Sequence, residues 1–161
     1  MNADPKFILG EFNRTLDERF RISIPTEMSD LLTQNSNECV IAKERPGCLS
    51  LWNAAQWQEK MKNGMEIIEK KIVGGRLEGK IDDIQMLGRL LSTRHKEVQM
   101  AGRGRLVLPE GFRNFLGVEP GGEVVIVGAV LCVELWNPTQ WKNYLDGQMP
   151  GFRKIFEELS Q

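Results

Sequence analysis

Apolar and polar positions follow the same course twice along this chain. Residues 21–25 read RISIP, with Ile22 and Ile24 alternating with Arg21 and Ser23. That is the period-2 pattern of a strand with one buried face. Residues 105–109 read RLVLP and repeat it with Leu106 and Leu108. Proline closes each strand, because it has no N–H to give a ladder. The period then changes. Met28, Leu31 and Leu32 stand at i, i+3 and i+4, so they make one stripe of a short helix. Phe112, Phe115 and Leu116 do the same in the second copy, and Gly117 is placed to end that helix. Two strands joined by a turn come next: ECVIAK then CLSLW in the first copy, EVVIVG then LCVELW in the second.

An offset of 84 positions carries Arg21 onto Arg105, Pro25 onto Pro109, and LWNAAQW (51–57) onto LWNPTQW (135–141). Matching of tryptophans, asparagine, glutamine, proline and arginine in the same order marks a duplication. Asn53 and Asn137 are good helix N-caps, with Gln56 and Gln140 three residues on, as a capping box prefers. Pro138 takes the first helical position, where its missing N–H costs nothing. Met61, Met65 and Ile68 extend an apolar stripe that VGG (73–75) breaks. A second helix from about Asp82 to Ser92 carries Ile84, Leu87, Leu90 and Leu91. Phe152, Ile155, Phe156 and Leu159 predict a last amphipathic helix.

The expected organisation is a first repeat over 7–57, a helical connector over 58–92, a second repeat over 93–143 and a C-terminal helix over 144–161. A unit of this size with a few short strands buries its own apolar surface poorly. The two units are therefore expected to pair and close one small β-barrel with approximate two-fold symmetry. The fold class is α+β, with a mainly β core and additional helices.

Composition changes this picture little. The 161 residues are 41% hydrophobic and 27% charged, with a net charge of −1, a globular balance. Charge is unevenly placed: Arg89 to Arg113 holds six basic residues against Glu97 and Glu110, an excess of four, leaving the rest at −5. Cys39, Cys48 and Cys132 lack CxxC spacing, which argues against a disulfide framework and a zinc site. The opening MNADPKFILG has no basic region or long apolar stretch, so no leader is expected. No run approaches the roughly 20 apolar residues of a membrane helix. Cytoplasmic localisation is the expectation. Catalysis lacks an inventory: one histidine, no nucleophile elbow, no phosphate-binding motif and no metal-ligand cluster. No enzyme activity and no cofactor are expected.

LDERFRISIP, ECVIAK…CLSLWNAAQW and MAGRGRLVLPEGFRNFLGV…EVVIVGAVLCVELWNPTQW together resemble the MraZ family, the tandem-repeat members of the AbrB/SpoVT superfamily. The resemblance runs from about Gly10 to Leu145. It implies a double-ψ, swapped-hairpin AbrB-like β-barrel. It also implies a transcription regulator of a division and cell-wall gene cluster, most simply a repressor. Ring-shaped homo-oligomers, nucleoid association and arginine-bearing loops on promoter repeats of double-stranded DNA are part of the same implication. No membrane partner and no small-molecule substrate are implied. The family signature is Asp-x-x-x-Arg ending Gly-Arg. Here the first copy keeps Asp17 and Arg21 but has Phe20 in place of glycine, and the second keeps Gly104 and Arg105 but has Ala101 in place of aspartate. An aspartate there would hold the turn by accepting backbone N–H bonds, which alanine cannot do. Phe20 would be strained if its position needs positive φ.

Arg19, Arg21, Arg103 and Arg105 are the candidate DNA contacts. At the mouth of a hairpin, residues i and i+2 project to one side. A guanidinium can grip a phosphate or a guanine edge bidentately. The plain alternative is that these are solvated strand ends paired with Asp17, Glu18 or Glu97; recurrence at equivalent positions argues for DNA. Arg14, Arg94, His95 and Lys96 are secondary candidates for phosphate contacts. A scaffold that keeps the fold but has lost DNA recognition is the alternative function. An antitoxin-like role would call for a disordered tail, and this tail reads as helical. The tryptophans at a strand-to-helix junction read as packing residues, and the methionine stripe as core or interface.

Overall fold

The structure is a computed structural model and describes residues 7–34 and 36–161; the start of the chain, on which the leader reading rests, lies partly outside them. The first unit runs β1 (Glu11–Thr15), β2 (Arg21–Ser23), α1 (Thr26–Leu32), β3 (Glu38–Arg45) and β4 (Cys48–Asn53). Two helices follow, α2 (Ala54–Val73) and α3 (Ile81–Arg94). The second unit repeats the order as β5 (His95–Gln99), β6 (Arg105–Val107), α4 (Glu110–Leu116), β7 (Glu123–Gly128) and β8 (Val133–Trp136). The chain continues into α5 (Pro138–Gln148) and α6 (Phe152–Leu159), so its tail is helical.

Pairing exchanges strands between the units. Six strands form one antiparallel sheet in the order β1-β7-β8-β4-β3-β5. Replace each strand by its repeat equivalent and the order reads the same from the other end. β1 of the first unit pairs with β7 of the second, and β5 of the second with β3 of the first. A separate ribbon pairs β2 with β6, placing Ile22 opposite its own equivalent, Leu106. The approximate two-fold axis passes between those two residues.

The expected closed barrel does not form. β1 and β5 are the edges of an open sheet, while β2 and β6 pair with each other. Each ribbon strand is three residues long and is followed within two residues by Pro25 or Pro109. So short a ladder has too few donors to bridge two sheet edges. The architecture is α+β with a mainly antiparallel sheet.

One core joins both units. Ile22, Ile24, Leu106 and Leu108 pack with Met28, Leu32, Phe112 and Leu116 and with Ile41, Leu49, Ile126 and Leu135 of the sheet. Burying such a side chain contributes about 1.5–3 kcal/mol, so the ribbon is held to the sheet by its inward residues. Asn53 caps α2 by accepting the N–H of Gln56 at 3.0 Å. Its Nδ2 donates to the carbonyls of Leu32 and Gln34 at 2.9 and 3.0 Å, fastening the end of α1 to the start of α2. Asn137 accepts from Thr139 and Gln140 and donates to the Gly117 carbonyl at 3.0 Å. No glutamine side chain returns the bond of a capping box among the described residues. All three cysteines are free and buried. No helix of the described residues is long and apolar enough to cross a membrane.

Candidate nucleic-acid interface

The inward direction of Ile22 and Leu106 decides where the arginines go. Side chains alternate along a strand, so Arg21 and Ser23 of β2 and Arg105 and Val107 of β6 face outward, and all four are exposed. Arg21 lies opposite Val107, and Ser23 opposite Arg105. Arg21 and Arg105 are therefore diagonal neighbours on one face, roughly 7–8 Å apart at the backbone and within mutual reach of long side chains. Both line a cleft of about 230 Å³ with Arg14, Thr15, Asp17 and Ser23.

The loop before β2 is held by a carboxylate. Asp17 Oδ1 accepts the backbone N–H groups of Arg19 and Arg21, each at 2.8 Å. Its Oδ2 accepts Arg21 Nε at 2.7 Å. Those backbone and guanidinium donors hold the Asp17 carboxyl below the ordinary value of 3.8. The pair engages Arg21 through Nε; no contact to its terminal nitrogens is found among the described residues. The loop before β6 keeps the same backbone closure without the carboxylate. Ala101 N–H donates to Arg105 O at 2.8 Å, as Asp17 N–H donates to Arg21 O at 3.1 Å. Each loop is also tied to the other unit, Ile24 N–H to Gly104 O at 2.8 Å and Leu108 N–H to Phe20 O at 2.9 Å.

The position of Phe20 does require positive φ, and phenylalanine adopts it at 57°. Its ring packs against the core and lies under the Arg113 guanidinium at 4.1 Å. Arg113 is itself fixed by a 2.9 Å bond from Nε to the Leu108 carbonyl. Packing thus holds a conformation that costs an ordinary side chain about 1–3 kcal/mol. Gly104, the equivalent residue, has φ 70°, and a Cβ there would lie 2.3 Å from the Ile24 carbonyl oxygen.

The four candidate arginines are all exposed but do not form one cluster. Arg103 has φ 65°, off the extended path, and lines a different cleft with Thr26, Asp30 and Met100. Arg19 lies in the loop between β1 and β2 and lines neither cleft. Arg14 joins Arg21 and Arg105 instead. Its place depends on β1, whose sequence EFNRT has too weak an alternation to announce a strand. Arg94 is committed to the sheet, donating from Nη2 to the carbonyls of Lys43 and Glu44. His95 packs on Trp57 with ring centres 5.3 Å apart, a structural position. No group of three metal-ligating side chains occurs among the described residues.

Comparison with known proteins follows the same lines. The family described as "MraZ protein, putative antitoxin-like" matches residues 92–161. A protein of Syntrophomonas wolfei named transcriptional regulator MraZ is 28% identical over 151 residues, covering 94% of this chain and 95% of that protein. Proteins of the same name from Carboxydothermus hydrogenoformans and Treponema denticola are 27% and 28% identical, each over 94% of this chain. These relatives are named as regulators, not as enzymes. With the two arginine-bearing loops paired as equivalents, and with similarity to these relatives running through nearly the whole chain, the comparisons support the MraZ family for this chain.

Proposed function

We propose that this chain is a sequence-specific DNA-binding transcription regulator, most simply a repressor. In this reading it occupies promoter repeats of a division and cell-wall gene cluster as a ring-shaped homo-oligomer in the cytoplasm, on the nucleoid. The observation that carries the reading is the pairing of β2 with β6, which sets Arg21 and Arg105 side by side on one exposed face. Arg14 adds a third positive charge to the same cleft. Two guanidinium groups on a two-fold-related ribbon suit two equivalent positions along a groove, each gripping a phosphate or a guanine edge. Arg19 and Arg103 act as outlying phosphate contacts. Four arginines on one subunit give modest affinity, and several subunits on repeated sites raise it without a new contact type.

The names of the relatives support regulation of transcription. The test is a gel shift on the DNA upstream of the protein's own gene. Arg21→Ala with Arg105→Ala is expected to abolish the specific shift while leaving the assembly mass unchanged; wild-type binding by that variant would overturn the assignment. The scaffold alternative draws on the Asp17–Arg21 ion pair, which offsets one of the positive charges. Selection from a random duplex pool separates the two, since a scaffold enriches no sequence.

A further inference from the structure

The two units put different pairs of residues at one symmetric place. Phe20 immediately precedes β2, and its equivalent before β6 is Gly104. The same offset carries Ser29 of α1 onto Arg113 of α4. Each loop residue meets the helix residue of the other unit. A Cβ at Gly104 would lie 3.1 Å from Ser29 Oγ and 3.2 Å from Ser29 Cβ, so this place accepts two small residues. At the equivalent place the Phe20 ring lies under the Arg113 guanidinium at 4.1 Å, a large residue against a large one.

Arg113 holds this turn at two points. Its guanidinium covers the Phe20 ring, and its Nε donates to Leu108 O at 2.9 Å. Leu108 N–H in turn donates to Phe20 O at 2.9 Å. Phe20 O and Arg21 N–H belong to one planar peptide group, and that N–H donates to Asp17 Oδ1 at 2.8 Å. The peptide plane that opens β2 is thus fixed by Leu108 on one side and by Asp17 on the other. Phenylalanine at φ 57° keeps such a backbone only while its surroundings hold it. We propose that Arg113 is a positioning residue for Arg21: from the second unit it clamps the Phe20 turn and so sets the Arg21 guanidinium for DNA, without touching the duplex itself. The inference deepens the DNA-binding reading and rests on it. Charge separates positioning from direct contact. Arg113 is half-buried and lines a cleft with Glu110 and Glu119, not the cleft of Arg21 and Arg105. Carboxylates at that place repel a phosphate. Neither forms an ion pair with Arg113 among the described residues, which leaves the guanidinium to the ring and the Leu108 carbonyl.

The test is a double-mutant cycle on the full-length chain: Arg113→Met, Phe20→Gly and both together, read as DNA affinity over a salt series. Methionine keeps an apolar stem but gives up the charge and the donor. Glycine gives up the ring and takes positive φ freely. Arg113→Met is expected to lower affinity for the upstream DNA about three- to tenfold, with the slope of log K against log salt unchanged. In the Phe20→Gly background most of that loss is expected to vanish, because the two residues act through one contact. A slope smaller by about 1, or an equal loss in both backgrounds, would make Arg113 a phosphate contact and overturn the inference. Full affinity in Arg113→Met would overturn it as well. Amide hydrogen exchange reads the clamp without DNA. In Arg113→Met the amides of Arg19 and Arg21 are expected to exchange faster, while those of Arg103 and Arg105 keep their wild-type rates. Unchanged exchange at Arg19 and Arg21 would remove the clamp. If the wild type bound no DNA, the DNA-binding reading would fall and the role given to Arg113 with it, whereas the exchange pattern would still show the turn held from the second unit.

Discussion

Arg21 donates through Nε to Asp17 across 2.7 Å, while Arg105, whose own loop has Ala101 at the equivalent place, forms no ion pair among the described residues. The two loops thus close alike at the backbone but differ in charge and in what orders their arginines. Asp17 lies lower than an ordinary carboxyl because the ionised form collects two backbone N–H bonds and a guanidinium. Folding therefore lowers its pKa, so the native loop binds fewer protons than the unfolded chain. The contribution is fully present above about 3.8 and is lost as pH falls through the lower native value. Following the amide resonances of Arg19 and Arg21 by NMR is expected to give a midpoint below 3.8. A midpoint at or above that value would mean that the carboxylate does not hold the loop.

Arg14 distinguishes the cleft as built from the arginine pairs as read along the chain. It shares the cleft with Arg21 and Arg105, whereas Arg103 lines another. Arg14→Ala is expected to weaken binding on all duplexes alike and to reduce the slope of log K against log salt by about 1, as loss of one phosphate contact does. Arg105→Ala is expected to relax sequence preference as well. Equal loss of preference in both variants, read from a salt series on matched and scrambled duplexes, would merge the two roles.

The asparagines of the repeated WNxxQW stretch do more than their cap positions suggest. Asn53 caps α2 and also holds the carbonyls of Leu32 and Gln34, and it is 6% exposed. Asn53→Ala is expected to cost about 2–3 kcal/mol, the cap together with carbonyls left buried and unpaired. Asn137 holds one carbonyl in a more open place, so Asn137→Ala is expected to cost about 1 kcal/mol. Urea unfolding of both variants checks the order.

Much of this architecture is legible in the residues. Ile22 and Leu106 identify the ribbon, Asn53 and Asn137 the helix starts, and the matching of the two halves their mutual pairing. Edge strands are a different matter. EFNRT and HKEVQ place charged residues on both faces of an edge strand, so neither has the clean alternation of a half-buried strand, and the placement of Arg14 was hidden with them. Barrel closure was hidden too, because it depends on how far β2 and β6 extend, a geometric property that composition does not encode. The position of Arg103 depends on a single left-handed φ, which its own side chain does not announce.

The cysteines offer a check on the core. Burial raises Cys39 to about 11 and Cys132 to about 12, and it raises Cys48 as well. The thiolate is the reactive species, so at pH 8 the folded chain holds almost none of it at these sites. Alkylation by iodoacetamide is expected to be negligible in buffer and to reach all three thiols together as denaturant unfolds the chain. Early modification of Cys132 alone would show that β8 opens apart from the rest of the sheet.

Gly104 and Gly102 separate the backbone demands of the second loop. Gly104 has φ 70°, and a Cβ there would lie 2.3 Å from the carbonyl oxygen of Ile24, the residue whose N–H donates to Gly104 O in the tie between the units. Backbone strain of this sort costs about 1–3 kcal/mol, and the clash adds to it by pushing the loop off β2. Gly102 has open space around its Cβ position and no positive φ. Gly104→Ala is expected to lower the urea midpoint and to loosen Arg105, so that DNA affinity falls even where the chain remains folded. Gly102→Ala is expected to stay within about 0.5 kcal/mol of wild type with binding unchanged. If the two substitutions behaved alike, the left-handed turn would not be what sets the position of Arg105, and the contrast between the Asp17 loop and the glycine loop would lose its physical basis.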